Sequence, residues 1–413
     1  MKLRSPIVYT GLSLAVLLGT YAVGCGSDET EQTPTDQTGA QPPAEPEGAA
    51  SGDGPGYVFA VNKLYLGDTD WNGTPSPSAW KSFGYNMDMK VSTKESTDLC
   101  QPAAGAAPSK VYPDGNDGID NSFGKNILPI ITGLAPDAST EVNAAIDEGT
   151  FTLLIKVDDL GDGSDYSASL LAKLYAGGDL GNAPAWDGND QWPVLPELLN
   201  DPTDVESSKV QFPSSYVNAG TWVSGDKGEL SLTIGIQGYE LTLTISEAVI
   251  TMDLASPRSG GSTQGLIAGV IETEPLIEEL RKIAGNFDTG LCEGSTFDSI
   301  ADQLRQASDI MANGSQDPGQ TCNGISVGLG FDTKIVQLGG IATAAEQAPD
   351  PCLCGNETLD ANETCDGDLL DGQGCTSVPG GFTGGTLACA DDCREFDTDG
   401  CEGGGTGGSG TGG

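Results

Sequence analysis

Gly228-Glu229-Leu230-Ser231-Leu232-Thr233-Ile234-Gly235-Ile236-Gln237-Gly238-Tyr239-Glu240-Leu241-Thr242-Leu243-Thr244-Ile245 is the stretch from which the fold is read. Leu230, Leu232, Ile234 and Ile236 recur every second residue, Gln237-Gly238 is placed to turn the chain, and Tyr239, Leu241, Leu243 and Ile245 repeat the pattern on the way back. A period of two sends alternate side chains to opposite faces, so the stretch reads as an antiparallel strand pair with one face buried. Outward from it, Ala248 to Leu254, Gly265 to Ile271 and Ile325 to Leu338 read as further strands. Upstream, Phe151, Leu153, Ile155 and Val157 alternate, as do Leu170, Ala172 and Leu174. The expected class is mainly β, an antiparallel sandwich or jelly-roll-like body. Two helices interrupt it. Leu276, Ile277, Leu280, Ile283 and Ala284 form an apolar stripe near 274–284, and Phe297, Ile300, Ala301, Leu304 and Met311 form another near 296–312.

The chain has 413 residues, 60 acidic against 18 basic, a formal charge of −42 and no histidine. A Ser-His-Asp triad and His-ligated zinc or haem are therefore excluded, and the charge opposes any phosphate-tracking, nucleic-acid-binding surface.

At the N-terminus Lys2 and Arg4 precede an apolar run from Pro6 to Tyr21, and Ala22-Val23-Gly24 precede Cys25. This resembles a bacterial lipoprotein signal, with Ala22 where the family usually has Leu. The resemblance implies removal of residues 1–24 and lipidation of Cys25, hence a membrane partner through a lipid anchor. Gly26, where some bacteria use Asp to retain a lipoprotein at the inner membrane, favours the outer membrane and a surface-exposed body. Residues 26–54 contain no Ile, Leu, Val or aromatic side chain, so 25–55 reads as a disordered tether, and the Gly-rich tail 402–413 reads likewise. Between them lie the body, 56–348, and a small module, 349–401.

Removing Cys25 from eleven cysteines leaves an even number, and five disulfides in an oxidising compartment are the simplest expectation. With Cys352 counted at its edge, the body holds Cys100, Cys292, Cys322 and Cys352, with three pairings open. Cys354, Cys365, Cys375, Cys389, Cys393 and Cys401 sit among Asp and Gly with almost no apolar residue, so three bridges would stand in for a core. Cys354-Gly355-Asn356, Glu363-Thr364-Cys365-Asp366-Gly367 and Phe396-Asp397-Thr398-Asp399-Gly400-Cys401 resemble the cysteine-rich repeat of many secreted and surface proteins of myxobacteria. That resemblance implies an extracellular structural or interaction element. The body, at 79–86 and 117–124, is also similar to uncharacterised myxobacterial lipoproteins.

Three loops carry oxygen ligands at the alternate spacing a hard cation such as Ca2+ takes. They are Asp68-Thr69-Asp70-Trp71-Asn72-Gly73, then Asp114 with Asn116 and Asp120, and Asp158 with Asp162 and Asp165. The first is no EF-hand, because its twelfth position is Ala79 and no helix periodicity flanks it. Asp, Asn and Gly are also ordinary turn residues. Trp186-Asp187-Gly188-Asn189-Asp190-Gln191-Trp192 sets two indoles beside amide and carboxylate groups, a pattern suited to a sugar, although such Trp also pack the ends of sheets. No catalytic residue stands out, since carboxylate pairs are too abundant to be informative. The favoured reading is a cell-surface lipoprotein that binds or adheres without catalysis, its loops stabilised by Ca2+ and its partner a polysaccharide or surface protein. A carbohydrate-active hydrolase with paired carboxylates and a purely structural envelope protein are the alternatives.

Overall fold

The computed structural model describes residues 39–161, 163, 165–236, 239–287, 291–292, 294–343, 350–390 and 392–403. Its strands are β1 (Tyr57–Tyr65), β2 (Thr152–Val157), β3 (Ser167–Gly177), β4 (Gln191–Val194), β5 (Val210–Asn218), β6 (Thr221–Val223), β7 (Gly228–Ile236), β8 (Tyr239–Leu254), β9 (Ser262–Glu272) and β10 (Gly324–Ile341). The helices are α1 (Pro108–Val111), α2 (Leu128–Leu134), α3 (Ala138–Glu148), α4 (Thr273–Phe287) and α5 (Ser295–Arg305).

The protein is mainly β and antiparallel, but its strands join in a ring where two facing sheets were expected. β1 pairs with β2, β2 with β3, β3 with β5, β5 with β6, β6 with β8, β8 with β9, β9 with β10, and β10 with β1, every pair antiparallel. A sandwich and a closed barrel both bury one face of each strand, so the alternation could not separate them. An eight-stranded ring is just wide enough for side chains to fill. Phe59 and Val61 of β1, Ile155 of β2, Trp222 of β6, Ile250 of β8 and Phe331 of β10 share one buried core. Ala60, Leu154, Tyr175 and Trp192 form a separate cluster.

The hairpin read first is β7–β8, in register from Leu230↔Ile245 to Ile236↔Tyr239; its turn, Gln237-Gly238, lies outside the described residues. Ala248 to Leu254 is not a separate strand. It continues β8 past a register shift beside Glu247, whose φ is 52°. α4 and α5 stand where expected, but α5 stops at Arg305, short of Met311. Beyond it Ile310 bridges Gly324, and the Asp309 carboxylate takes the Ser326 amide, interactions that a continued helix would forbid. The stripe Ala138, Val142, Ile146 buries α3, a helix absent from the sequence reading. Asn143 fastens it to β1 through both its oxygen and its nitrogen, to Leu64 N and Leu64 O at 2.9 Å each.

The stretch read as free tether is bound to the body from residue 39 on. Ala40 N donates to Asp117 O and Asn86 N to Ala40 O, Ser51 bridges Ala168, and Gly161 N donates to Pro55 O. Composition had suggested disorder because the segment has no apolar core of its own; its partners are donors and acceptors of the barrel.

The disulfides are Cys100–Cys322, Cys292–Cys352, Cys354–Cys393, Cys365–Cys389 and Cys375–Cys401. The last three lie inside the C-terminal module, whose ladders among the described residues are two-residue pairs, 384–385 with 401–402 and 388–389 with 396–397.

One polar contact tests the barrel wall. Lys156 and Lys173 face each other across β2 and β3, a like-charge pair that repels. Glu206 lies between them, 2.6 Å from each ammonium. Glu206→Gln should lower stability by about 1 kcal/mol, discounted for the exposure of the carboxylate, and the loss should shrink at high salt. Urea denaturation at two salt concentrations reads it out; an equal loss at both would show that packing, not charge, is responsible.

Candidate metal centre

The loop around 114–124 is set by Asn121. Its buried amide nitrogen donates to Phe83 O at 3.0 Å and Gly328 O at 2.9 Å, and its oxygen accepts from Gly124 N at 2.9 Å. With the loop pinned to β10, Asp120 turns inward. Its Oδ2 accepts from Met87 N at 2.7 Å and Asp88 N at 3.3 Å. Asp88 in turn accepts from Lys90 N at 2.8 Å and from Gln316 Nε2 at 2.7 Å. Asp114 Oδ2 accepts from Ser92 N. Asp309 accepts from Ser326 N at 2.9 Å and Ser326 Oγ at 2.5 Å, and that hydroxyl receives Ser122 N at 2.8 Å. Gln316 closes the network, donating to Asp309 O and accepting from Cys100 N, next to the Cys100–Cys322 bridge.

Four carboxylates from distant parts of the chain thus feel one another's charge, Asp120 buried and Asp88, Asp114 and Asp309 half-buried. Burial pushes all four pKa values up. Asp309 rises to about 6 and Asp114 to about 7, the latter also because Asp88 and Asp309 repel its charge. Asp120 rises well above the usual range through burial and the charges of Asp88, Asp114 and Asp309, and Asp88 rises through burial first. The cation facing them is Lys125, its own pKa lowered by burial, with Asp309 and Asp114 opposing the drop. It donates to Pro113 O at 2.7 Å and Val111 O at 3.2 Å. Ser92 Oγ, on the residue that holds Asp114, is buried without a partner. Such an acid excess is neutralised by protons or by a divalent cation.

No family model, curated protein or solved structure matches this chain.

Among the described residues, the group whose ligand-type atoms lie within 4.8 Å of one another is Cys354, Asp366 and Cys393. Its two sulfurs are bonded to each other, and Asp366 is spent on the amides of Gly355 and Thr358, so this set is structural. The four carboxylates are looser. Asp88, Asp114, Asp120 and the Ser92 hydroxyl are the groups that would hold a hard cation, but the carboxylates do not meet that 4.8 Å spacing, so an ion would have to draw them together; calcium accepts six to eight oxygens in flexible geometry.

Of the residues singled out from sequence, Asp114 and Asp120 meet here. Asn116 does not, its amide donating to Ser82 Oγ at 3.0 Å. Asp88 and Asp309 were missed, because neither lies in an Asp/Gly-rich run. Asp70 caps its own turn, accepting from Asn72 N and Thr74 N at 2.9 Å each, which lowers its pKa. Asp68 Oδ1 is buried without a partner, and Asn72 is exposed. Asp158 lies 3.3 Å from Lys156 and 4.0 Å from Lys173. Asp165 is exposed, and Asp162 and Cys25 lie outside the described residues.

Trp192 is fully buried, its indole N–H donating to Gly178 O at 2.8 Å, and Trp186 stacks on it at 5.5 Å. Asp190 accepts from Ala185 N and Trp186 N, and Asp187 from Asn189 N. These groups spend their polar capacity on shaping their own loop. An acidic cleft of about 420 Å3 opens beside α4, lined by Glu229, Glu272, Glu278 and Glu279 with Thr242 and Thr244. Glu278 and Glu279 are held there by Arg281 and Lys282, one turn on.

Proposed function

We propose that this chain is an exported envelope protein, anchored through a lipid on Cys25, which acts by binding rather than catalysis and whose loop core is locked by Ca2+ at Asp88, Asp114 and Asp120. The observation that carries the reading is covalent. Beyond Cys25 every cysteine is paired, in five bridges, and thiols persist in that state only in an oxidising compartment. Cys25, the cysteine left over, is the residue that the N-terminal pattern marks for acylation. Among the described residues no helix is long and apolar enough to cross a membrane. The myxobacterial repeat resemblance of residues 354–401 fits an extracellular role, and the carboxylate cluster, its oxygens spent on backbone amides, fits a structural ion better than an acid–base pair.

Intact mass spectrometry of protein extracted from a membrane fraction tests this. The expected species starts at Cys25, carries acyl chains and has no alkylatable thiol. A chain still bearing residues 1–24, or one with free thiols, would sink the reading.

A further inference from the structure

The segment from Gly39 to Ala44 runs beside a groove of about 280 Å3 walled in part by Tyr85, Met87, Met89, Tyr216, Val223 and Val249. Gln41-Pro42-Pro43-Ala44 forms another side. Proline fixes φ near −65° and forces an extended conformation on the residue before it, so a Pro-Pro pair favours the polyproline II helix, whose carbonyls have no internal partners. The body supplies those partners. Tyr216 donates its hydroxyl proton to Pro43 O at 2.6 Å, and Asn218 Nδ2 donates to Ala44 O at 2.7 Å. One step upstream Gln41 Nε2 donates to Asn86 O at 2.7 Å, and Ala40 N to Asp117 O at 2.7 Å. Aromatic walls for proline rings, with hydroxyl and amide donors for the carbonyls between them, are how proline-rich peptides are read.

The strap is seated by close approach. Gly39 has φ 65°, and a Cβ there would lie 2.5 Å from both Asp117 O and Asn86 Nδ2; at Gly52 it would lie 2.0 Å from Asp159 O. Gly39 lies outside the barrel, whereas a Cβ at Gly52 would also press on the buried Leu170 of β3, so cooperative melting of the variant is checked before its binding is read. The groove also keeps an open rim, where Met89 is 55 % exposed.

We infer that the surface under this strap, together with the groove beside it, is a peptide-binding site whose donors are engaged in cis by residues 41–44, and that its partner in trans is an extended, proline-containing segment of another protein. The cis segment acts as a built-in competitor at an effective concentration on the order of millimolar. A partner therefore gains access when the strap lifts. The inference needs neither acylation at Cys25 nor a bound cation, so it stands or falls apart from the reading above.

The test uses the full chain and a fluorescein-labelled peptide of residues 41–47. In fluorescence anisotropy, G39V/G52V should bind the peptide saturably and at least tenfold tighter than the unsubstituted chain. Adding Tyr216→Phe should weaken that binding about fivefold, the worth of one hydrogen bond. Equal binding to G39V/G52V and to the unsubstituted chain, or equal binding of a peptide with every Pro replaced by Ala, would overturn the inference, as would a soluble glycan displacing the peptide. Should G39V/G52V fail to melt cooperatively, hydrogen exchange on the unsubstituted chain decides. Excess peptide must then speed exchange at the Ala40 amide, and unchanged exchange overturns the proposal.

Discussion

Stability should fall as the pH rises from 4 to 7, and Asp309→Asn should remove the share of that fall that lies between about pH 4 and 6. A carboxyl whose folded pKa lies above its unfolded value holds its proton more tightly in the native state. Its contribution is complete below the unfolded pKa of 3.8 and is lost as the pH climbs through the folded value. For Asp309 that loss runs from about 4 to about 6, and for Asp114 from about 4 to about 7. Raising one carboxyl from 3.8 to about 6 corresponds to roughly 3 kcal/mol. The asparagine variant cannot ionise and retains an oxygen for the Ser326 amide. Below about pH 4 the trend reverses, because Glu274 and Asp98, whose pKa values are lowered by Arg305 and Lys90, lose their ion pairs on protonation. The optimum therefore lies near pH 4. Urea midpoints at pH 4 and 7 decide it, and parallel profiles for the two proteins would mean that Asp309 is ionised throughout.

Calcium should act in the same window, because a divalent ion and protons compete for the same oxygens. At pH 8, millimolar Ca2+ should raise the melting temperature by about 5 °C or more over EDTA. At pH 5, where the carboxyls are protonated, the gain should vanish. A gain that is the same at both pH values, or that survives Asp120→Asn, would place the ion elsewhere.

What the sequence disclosed follows from what each pattern encodes. The alternation in β7 and β8 states which face of a strand is buried, and the strands are there. It says nothing of whether the last strand finds the first, and that β1–β10 pairing is what makes a ring. The α3 stripe of Ala138, Val142 and Ile146 was legible at i, i+4 and i+8, but the small side chains around it blunt the contrast. Asp114 and Asp120 announced themselves because a turn needs Asp and Gly. Asp88 and Asp309 carry no local signal, since what makes them part of the centre is the hold of Asp120 on the amides of Met87 and Asp88 and the pairing of 309–310 with β10. Pro42 and Pro43 show the same limit. Their composition reads as free chain, and only Tyr216 and Asn218, far off in sequence, turn them into a docked strap.

Replacing Cys354 and Cys393 together by serine should unfold the C-terminal module and leave the barrel intact. The module has little else to hold it. Its buried apolar residues are Leu387 and the half-cystines Cys365, Cys375 and Cys393, while Leu359 and Leu369 are exposed. A unit this small, with so thin a core, depends on its bridges. Losing one costs about 3 kcal/mol, as much as such a module has to give. The Cys354–Cys393 bridge also positions the module's internal polar anchor. Asp366 is buried, and its oxygens take the amides of Gly355 and Thr358, next to Cys354. Without the bridge those amides drift off and leave a buried carboxylate unpaired, which adds to the loss. The barrel has no such dependence. Its core is continuous through β1, β8 and β10, and Cys100–Cys322 closes it independently. Hydrogen exchange should therefore show amides of 355–402 exchanging freely in the double variant, while those of β9 and β10 keep their protection. If the barrel loses protection in step, the link at its base is responsible: Cys292–Cys352 with Arg281 bound to Asp350 at 3.0 Å. The two parts would then be one cooperative unit, and the independence argued for the module would fail.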